Sequence, residues 1–352
     1  MAEELSQRYR QILKAIIVGH IETAEPVGSG SVSRRSRLGI SPATVRNVMA
    51  QLEDMGYLIS PHASAGRIPT CKAYRYYVDS LLQLGTLSNE QRRDIENRYR
   101  HGTLPVEYEL QSAGRALSDI SRYAGIVVVP RFSTTIFRHL EFVRLNDRRL
   151  LLIMVSASGM VHKKLLDITE PVKQNQLDQA ANYLNRTLSG LSIADARDRI
   201  ARDITRERAL YDELSRWTLQ LSQAALEDQF IDQVFIEGAS QILEQPEFAD
   251  LSRMKKLMRI FDQKNLLLEL LEKSQKEDSV HICIPEEKEF PDFPGCSLIT
   301  ARYTNGQGVA GSIGILGPMR MPYSKVVPVV SYMARLISGA MTNESIQEIK
   351  KL

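Results

Sequence analysis

Two neighbouring polar residues, Arg46 and Asn47, lie in the stretch SPATVRNVMAQLEDMG. Arginine can bond a guanine edge through two hydrogen bonds and asparagine can do the same to adenine, each worth about 1–3 kcal/mol of discrimination between bases. Thr44 can contact a base edge or a phosphate, and the small side chain of Ala43 permits close approach. These residue types predict a surface that reads the edges of base pairs.

The residues around this pair predict the helix that carries them. Ser41 is typical of an N-cap, Pro42 suits the first helical position, and Gly56 suits a left-handed C-terminal stop. Apolar residues recur at i, i+3, i+4 and i+7, namely Val45, Val48, Met49 and Leu52. This stripe is expected to pack on other helices, so that the polar half of the helix faces outward.

Two helices are predicted before this one and a hairpin after it. Helical periodicity extends over residues 5–21, and a short second helix over about 29–36 is joined to the third through RLGI. The runs YLIS and GRIP, with Pro61 and Gly66, predict a small β-hairpin. This order defines a winged helix-turn-helix, in which the third helix enters the major groove of DNA.

Basic residues are concentrated in the same part of the chain. The whole sequence has a net charge of +3, whereas residues 28–75 hold seven basic side chains and two acidic ones. Arg34, Arg35 and Arg37 on the second helix and Arg67 in the wing are predicted to lie near phosphates, which supply affinity without sequence information. The alternatives are a solvated basic face and an adaptor that docks another protein, whose nucleic-acid affinity would lack a steep salt dependence.

The remainder of the chain predicts an α+β protein of several domains. β-rich runs such as AGIVVVP, HLEFVRL and CSLITARY are separated by a helical, charge-rich block. We therefore expect a winged-helix domain, a helical linker, a first α/β part, an inserted mainly helical unit and a second α/β part, at residues 1–80, 81–104, 105–192, 193–275 and 276–352.

No sequence motif assembles a catalytic set. VGSGS lacks a preceding strand and a following GK[ST], GVAGSIGILGP lacks the Walker lysine, and SASG is not a GxSxG elbow. The three cysteines form no CxxC pair, which favours reduced thiols in the cytoplasm over a zinc site. No apolar run of about 18 residues predicts a transmembrane helix. We expect no enzyme activity, no metal, no cofactor and no membrane association.

Four separated blocks of the sequence resemble one protein family. They are RYRQILKAIIVGHIETAEPVGSGSVSR, ISPATVRNVMAQLEDMGYLISPHASAGRIPTCKAYRYYVD, IEGASQILEQPEF and GSIGILGPMRMPYSKVV. Together they resemble, nearly from end to end, the family of the heat-inducible transcription repressor HrcA. The resemblance implies a GAF-like α/β domain interrupted by an inserted dimerisation domain, behind the N-terminal winged helix.

The resemblance also implies a function. A homodimer would bind an inverted-repeat operator in double-stranded DNA upstream of chaperone operons, repress at normal temperature with support from the GroEL chaperonin, and be released on heat stress. Carried onto this chain, the recognition residues are Thr44, Arg46 and Asn47, with Arg67 in the wing. The resemblance further implies a cytoplasmic protein that associates with the nucleoid when bound to DNA.

Two points stay open at the level of sequence. A metabolic repressor that senses a small molecule through the GAF-like domain is the alternative function. Arg320, in the run GPMRM, is interpreted as one exposed residue of a turn rather than as a functional residue.

Overall fold

The structure is a computed structural model of the chain. It describes residues 5–36, 39–62, 66–99, 106–129, 135–157, 159–168, 171–207, 234–262, 267–268, 280–284, 295–304 and 310–349.

Three helices and a two-stranded hairpin form the N-terminal domain. They are α1 (Gln7–Thr23), α2 (Ser29–Arg35), α3 (Pro42–Asp54), β1 (Leu58–Ile59) and β2 (Ile68–Pro69). Ile12 and Ile16 of α1 and Val32 of α2 are fully buried between the helices. Gly56 follows α3 with φ of +77°, a backbone conformation that glycine adopts without a Cβ clash. The predicted helix–helix–helix–hairpin order of a winged helix is confirmed.

The chain leaves this domain through α4 (Cys71–Tyr76), which continues as a π-helical turn at Tyr77–Leu81, and through α5 (Asn89–Arg98). Thr70 caps α4 because its hydroxyl oxygen accepts a hydrogen bond from the Ala73 amide at 3.3 Å. α4 therefore begins directly after the hairpin. α5 lies within the predicted linker.

The remaining elements follow in chain order. They are α6 (Val106–Ser121), β3 (Ala124–Val128), β4 (Phe137–Asn146), β5 (Arg149–Ser156), β6 (Val161–Asp167), α7 (Gln174–Leu188), α8 (Ile193–Glu207), β7 (Val234–Glu237), α9 (Ala239–Leu243), a 3₁₀ turn (Pro246–Phe248), α10 (Leu251–Asp262), β8 (His281–Cys283), β9 (Cys296–Thr304), β10 (Ala310–Pro318) and α11 (Tyr323–Ile349).

The larger sheet has the order β7-β3-β10-β9-β8, and every pair of neighbouring strands is antiparallel. Its inner strands are largely buried on both faces, whereas the edge strands β7 and β8 are half-buried. Ile126 and Leu316 pack with residues of α9 and α10, including Ile242 and Leu257. On the other face Val127, with its neighbours, packs against α6 and α11, in the same apolar cluster that contains the N-terminal core. Helices therefore cover both faces of this sheet unit.

The smaller sheet, β4-β5-β6, is antiparallel and has its own core. Phe137 and Leu152 pack against Leu184 of α7 and Ile200 of α8, all with at most 3% of their surface exposed. The other face of this sheet is not covered by α7 or α8. The two sheets are thus parts of separate packing units.

The predicted boundary between residues 192 and 193 is wrong. It falls between α7 and α8, which share one apolar core with the smaller sheet. The predicted insert also includes β7, which pairs with β3 of the larger sheet, Val127 opposite Phe235. The interrupting unit is therefore the smaller sheet with α7 and α8, inserted between β3 and β7. Residues 208–233 of the predicted insert lie outside the described residues.

Candidate nucleic-acid interface

Helix α3 has one buried and one exposed face. Val45 and Leu52 have no exposed surface, and Val48 and Met49 are nearly as buried. The apolar stripe therefore seats α3 on α1 and α2, as the spacing predicted. The opposite face is exposed and carries residues at i, i+3, i+4 and i+7, namely Ala43, Arg46, Asn47 and Ala50. We refer to these four residues as the recognition face.

The start of α3 is stabilised by its predicted cap. The Ser41 hydroxyl oxygen accepts a hydrogen bond from the Thr44 amide at 3.2 Å, and Pro42 occupies the first turn. The hydroxyl groups of Ser41 and Thr44 are also 3.0 Å apart. Thr44 is half-buried beside the recognition face and its hydroxyl contacts the cap. The predicted contact of Thr44 with DNA stays a prediction, and its structural role is to help begin the helix.

Two of the basic residues are exposed with no ion pair among the described residues. Arg46 projects from the recognition face and Arg34 from the last turn of α2. Arg35 is also exposed, but its guanidinium pairs with Glu22 of α1. Arg37 lies outside the described residues. Positive charge is therefore available to a polyanion at the recognition face and beside it.

Arg67 stabilises the wing in this structure. Its Nε donates to a Glu53 carboxylate oxygen at 2.7 Å, and its Nη1 donates to the Ser60 hydroxyl at 3.1 Å. Its backbone pairs with Val27 in both directions, at 2.9 and 3.0 Å. Arg67 is only half exposed and so joins the hairpin to α3 and to the segment before α2. Its predicted contact with a phosphate stays a prediction, and residues 63–65 of the wing tip lie outside the described residues.

Lys72 and Arg75 have contacts that sequence reasoning did not anticipate. The Lys72 ammonium donates to the Met55 carbonyl oxygen at 2.8 Å and lies 4.4 Å from the centre of the Tyr57 ring. Arg75 donates to the Ile284 carbonyl oxygen at 2.9 Å and so links α4 to the end of β8. Part of the basic excess therefore stabilises the domain and its attachment.

The interpretation of Arg320 as an exposed turn residue is wrong. Its side chain is 11% exposed and forms an ion pair with Glu247, where Nη2 lies 3.1 Å from one carboxylate oxygen and Nε contacts the other. Both residues belong to blocks that carry the family resemblance, IEGASQILEQPEF and GPMRMPYSKVV. The presence of both blocks in one sequence is the only sequence signal for this ion pair, and it does not show that the two residues are in contact.

Metal-ligating side chains do not cluster beside the interface in the part of the chain that the structure describes. No group of three or more histidine, cysteine or acidic side chains there is arranged to hold a metal ion. The Cys71 thiol lies 3.3 Å from the Met319 sulfur, and burial raises the pKa of Cys296 to about 12. Within the same residues, none of the helices combines the length and apolar character needed to cross a membrane.

An exposed polar helix face, seated on two helices and flanked by a hairpin, defines a winged-helix DNA-binding protein. Residues 4–80 match the model described as the winged helix-turn-helix transcription repressor, HrcA DNA-binding, and residues 107–327 match the HrcA protein C-terminal domain. The chain belongs to the family of the heat-inducible transcription repressor HrcA.

Named relatives agree with this assignment over almost the whole chain. The heat-inducible transcription repressor HrcA of Geobacter sulfurreducens is 47% identical over 341 residues, which cover 97% of this chain and 99% of that protein. The repressor of the same name from Desulforamulus reducens is 37% identical over 344 residues, covering 96% and 97%. These relatives are named as transcription repressors rather than enzymes, and their names favour heat-inducible repression over the ligand-responsive alternative.

A solved structure shares the fold. The crystal structure of a protein described only as hypothetical has a TM-score of 0.58 and 20% sequence identity, and the match covers 97% of this chain and 99% of that one.

Proposed function

We propose that the chain binds an inverted-repeat operator upstream of chaperone operons as a homodimer, with one recognition face in each half-site. The observation that carries this proposal is the recognition face itself, where exposed Arg46 and Asn47 share one side of α3. Two-fold symmetry of the protein suits the two-fold symmetry of an inverted repeat. Exposed Arg34 and Arg46 support a binding affinity that falls steeply with salt.

We further propose that the unit inserted between β3 and β7 is the dimerisation domain and that the larger sheet unit is GAF-like. The face of the smaller sheet that α7 and α8 leave uncovered carries apolar cross-strand pairs, Leu151 opposite Leu165 and Val155 opposite Val161. Leu165 is 60% exposed and Val161 is 40% exposed. The same face also carries exposed Glu141 and Lys163, on either side of Ile153. Its exposed apolar pairs gain stability when a second copy covers them.

Dimerisation offers a route from temperature to gene expression. Each protomer contributes one recognition face, so dissociation of the dimer on heating removes the second half-site contact and weakens binding. We propose that the GroEL chaperonin maintains the DNA-binding form in the cytoplasm, and that misfolded proteins compete for it during heat stress. Loss of chaperonin support then leads to derepression of the chaperone genes.

Substitutions in the recognition face test the proposal. Arg46→Ala and Asn47→Ala should each weaken binding to an inverted repeat selected by the wild-type protein by roughly 5- to 150-fold, from about 1–3 kcal/mol per bidentate base contact. Both side chains are exposed, so the melting temperature should not change. Lys256→Ala is the matched control, because it removes one positive charge from an exposed position of α10. The measurement is fluorescence anisotropy at fixed salt with the selected and a shuffled duplex.

Equal binding of the selected and shuffled duplexes by the wild-type protein would contradict specific operator recognition. Unchanged affinity of both recognition-face variants would contradict the placement of the interface. The same assay after a heat pulse, with and without GroEL and ATP, tests the proposed chaperonin support. Operator binding that recovers equally with and without GroEL would contradict that part of the proposal.

A further inference from the structure

Arg320 is one of several residues that connect the N-terminal domain to the sheet unit, beside Arg75 and the shared apolar core. Arg320, in the turn between β10 and α11, forms the ion pair with Glu247, and its Nη2 also donates to the Gln245 side-chain oxygen at 3.2 Å. Its Nη1 lies 3.5 Å from the carbonyl oxygen of Ile21, in the last turn of α1. We refer to Arg320, Glu247, Gln245 and Ile21 as the joint. It unites three segments that are far apart in sequence.

The joint is shielded from water, which strengthens its directional bonds. The side chains of Arg320 and Glu247 are only 11% and 21% exposed. A planar guanidinium that bonds both oxygens of one carboxylate allows little rotation about the contact. The turn itself is held because Tyr323 donates its hydroxyl proton to the Met319 carbonyl oxygen at 2.6 Å.

The N-terminal side of the joint is also connected to its neighbours. His20 Nδ1 and the Tyr74 hydroxyl are 2.7 Å apart, which connects the end of α1 to α4. Ile12 and Ile16 of α1 are buried against the same core as α3. The orientation of α1 therefore determines the orientation of α3 and of the recognition face.

We propose that Arg320 is a positioning residue for DNA binding, which holds the winged helix at a set orientation on the sheet unit through Glu247 and the end of α1. The inference rests on the proposed function, because orientation matters when two recognition faces must meet two half-sites at once. If the joint is lost and the winged helices are held less firmly in this orientation, the second half-site binds at a lower effective concentration. Contact with a single half-site does not depend on this orientation.

The test compares DNA geometries rather than stability alone. The probes are the selected inverted repeat, the same repeat with about five base pairs added between half-sites, which is half a turn of the duplex, and a duplex with one half-site. Wild-type protein should prefer the full repeat strongly and reject the lengthened one. Arg320→Lys keeps the charge but loses the planar fork, and it should bind one half-site as the wild type does. Its affinity for the full repeat should fall by about tenfold or more, and its affinity for the lengthened repeat should fall less.

A second variant and a matched control keep the test decisive. The double variant Arg320→Met with Glu247→Met removes both charges and leaves no unpaired buried charge, so it should fold and behave as Arg320→Lys does. Arg115→Lys is the control, because Arg115 also pairs with a glutamate, Glu237 at 3.4 Å, but is 68% exposed and lies within the sheet unit. It should leave all three affinities unchanged.

The results distinguish failure of the positioning role of Arg320 from failure of the proposed function. If the wild-type protein binds the full repeat no better than a shuffled duplex, the proposed function fails. If the wild type discriminates among the probes and the folded double variant does so equally, the positioning role of Arg320 is overturned. Loss of half-site affinity by the double variant to the same extent as loss of full-repeat affinity also overturns it, because a disordered winged helix explains that result.

Discussion

His162 makes the stability of the inserted unit depend on pH. It lies on β6 opposite Met154, and its surface is only 8% exposed. Burial lowers the pKa of His162 to about 4, because the charged ring loses its hydration. The unfolded chain takes up this proton near its ordinary pKa of about 6.5, so protonation favours unfolding between those two values. The contribution of neutral His162 is complete above about pH 6.5 and declines as the pH falls towards 4.

Replacement of His162 should therefore flatten this pH dependence. In wild-type protein the loss of unfolding free energy from this group should approach about 3 kcal/mol between pH 6.5 and 4. His162→Gln should remove that slope, whatever its effect on stability at pH 7. Urea unfolding followed by circular dichroism across this range measures it. His139→Gln changes an exposed histidine of β4 and should retain the wild-type slope. An unchanged slope in His162→Gln would contradict the assignment.

At the level of elements, helix α6 crosses β3 at very short range. A Cβ atom placed on Gly125 of β3 would lie 2.0 Å from the carbonyl oxygen of Gly114 in α6. β3 is an inner strand, paired with β7 on one side and β10 on the other. A shift of β3 would break its hydrogen bonds to both neighbouring strands, and a shift of the Gly114 backbone would distort α6. A side chain at residue 125 therefore meets backbone that resists displacement.

Gly125→Ala should therefore lower the unfolding free energy by about 1–3 kcal/mol or more, as overpacking does. Gly339→Ala is a matched control in α11, where the added Cβ meets no atom within 4 Å. It should be neutral or stabilise the chain by up to about 1 kcal/mol, because alanine favours helix more than glycine does. Thermal and urea unfolding compare the two variants. A Gly125→Ala protein as stable as wild type would show that α6 can shift away from β3.

Elements defined by local signals could be predicted from the sequence. Helix α3 is an example, because Ser41, Pro42 and Gly56 mark its ends and the spacing of its apolar residues defines its buried face. The insert boundary could not be predicted in this way. The four-residue strand β7 lies next to charge-rich helical sequence, and only its pairing with β3, more than a hundred residues earlier, assigns it to the larger sheet.

The same limit applies to the candidate site. The recognition face follows from the helical period alone, so Arg46 and Asn47 could be predicted to face outward. The contacts of Arg67 and Arg320 could not be predicted in this way. Arg67 pairs with Glu53 and Arg320 pairs with Glu247, and each pair comes together only in the folded chain. Charge and sequence position indicate contact with DNA for Arg67 and with solvent for Arg320, and neither signal reveals the ion pairs that the structure shows.

For the whole molecule, the pairing of β3 with β7 explains how an insertion is accommodated. The chain leaves the larger sheet after β3 and returns as its antiparallel neighbour, so exit and entry lie at adjacent strands. The inserted unit has its own apolar core, and its described strands form a sheet of their own. In the proposed dimer it can therefore present the sheet face that α7 and α8 leave uncovered to a second copy, without disturbing the joint or the recognition face.

This arrangement leads to a prediction about assembly. Leu165→Glu places a charge on the uncovered face of the smaller sheet, where Leu165 is 60% exposed. The substitution should leave the protomer folded but shift the proposed dimer to monomers, because burying an unpaired carboxylate in an apolar interface costs several kcal/mol. Sedimentation velocity over a range of protein concentrations measures the shift. Binding to an inverted repeat should fall to the level of a single half-site, since the second recognition face is no longer linked.

Leu251→Glu provides the control for this experiment. Leu251 is 57% exposed, but it lies on α10 in the larger sheet unit, so the same change of charge and volume should leave the dimer intact. A Leu165→Glu protein that remains dimeric, or a Leu251→Glu protein that dissociates, would move the interface away from the smaller sheet. If Leu165→Glu is monomeric and still binds the full repeat as tightly as wild type, the two recognition faces do not act together. Spacing between half-sites would then have to be set by the DNA rather than by the protein.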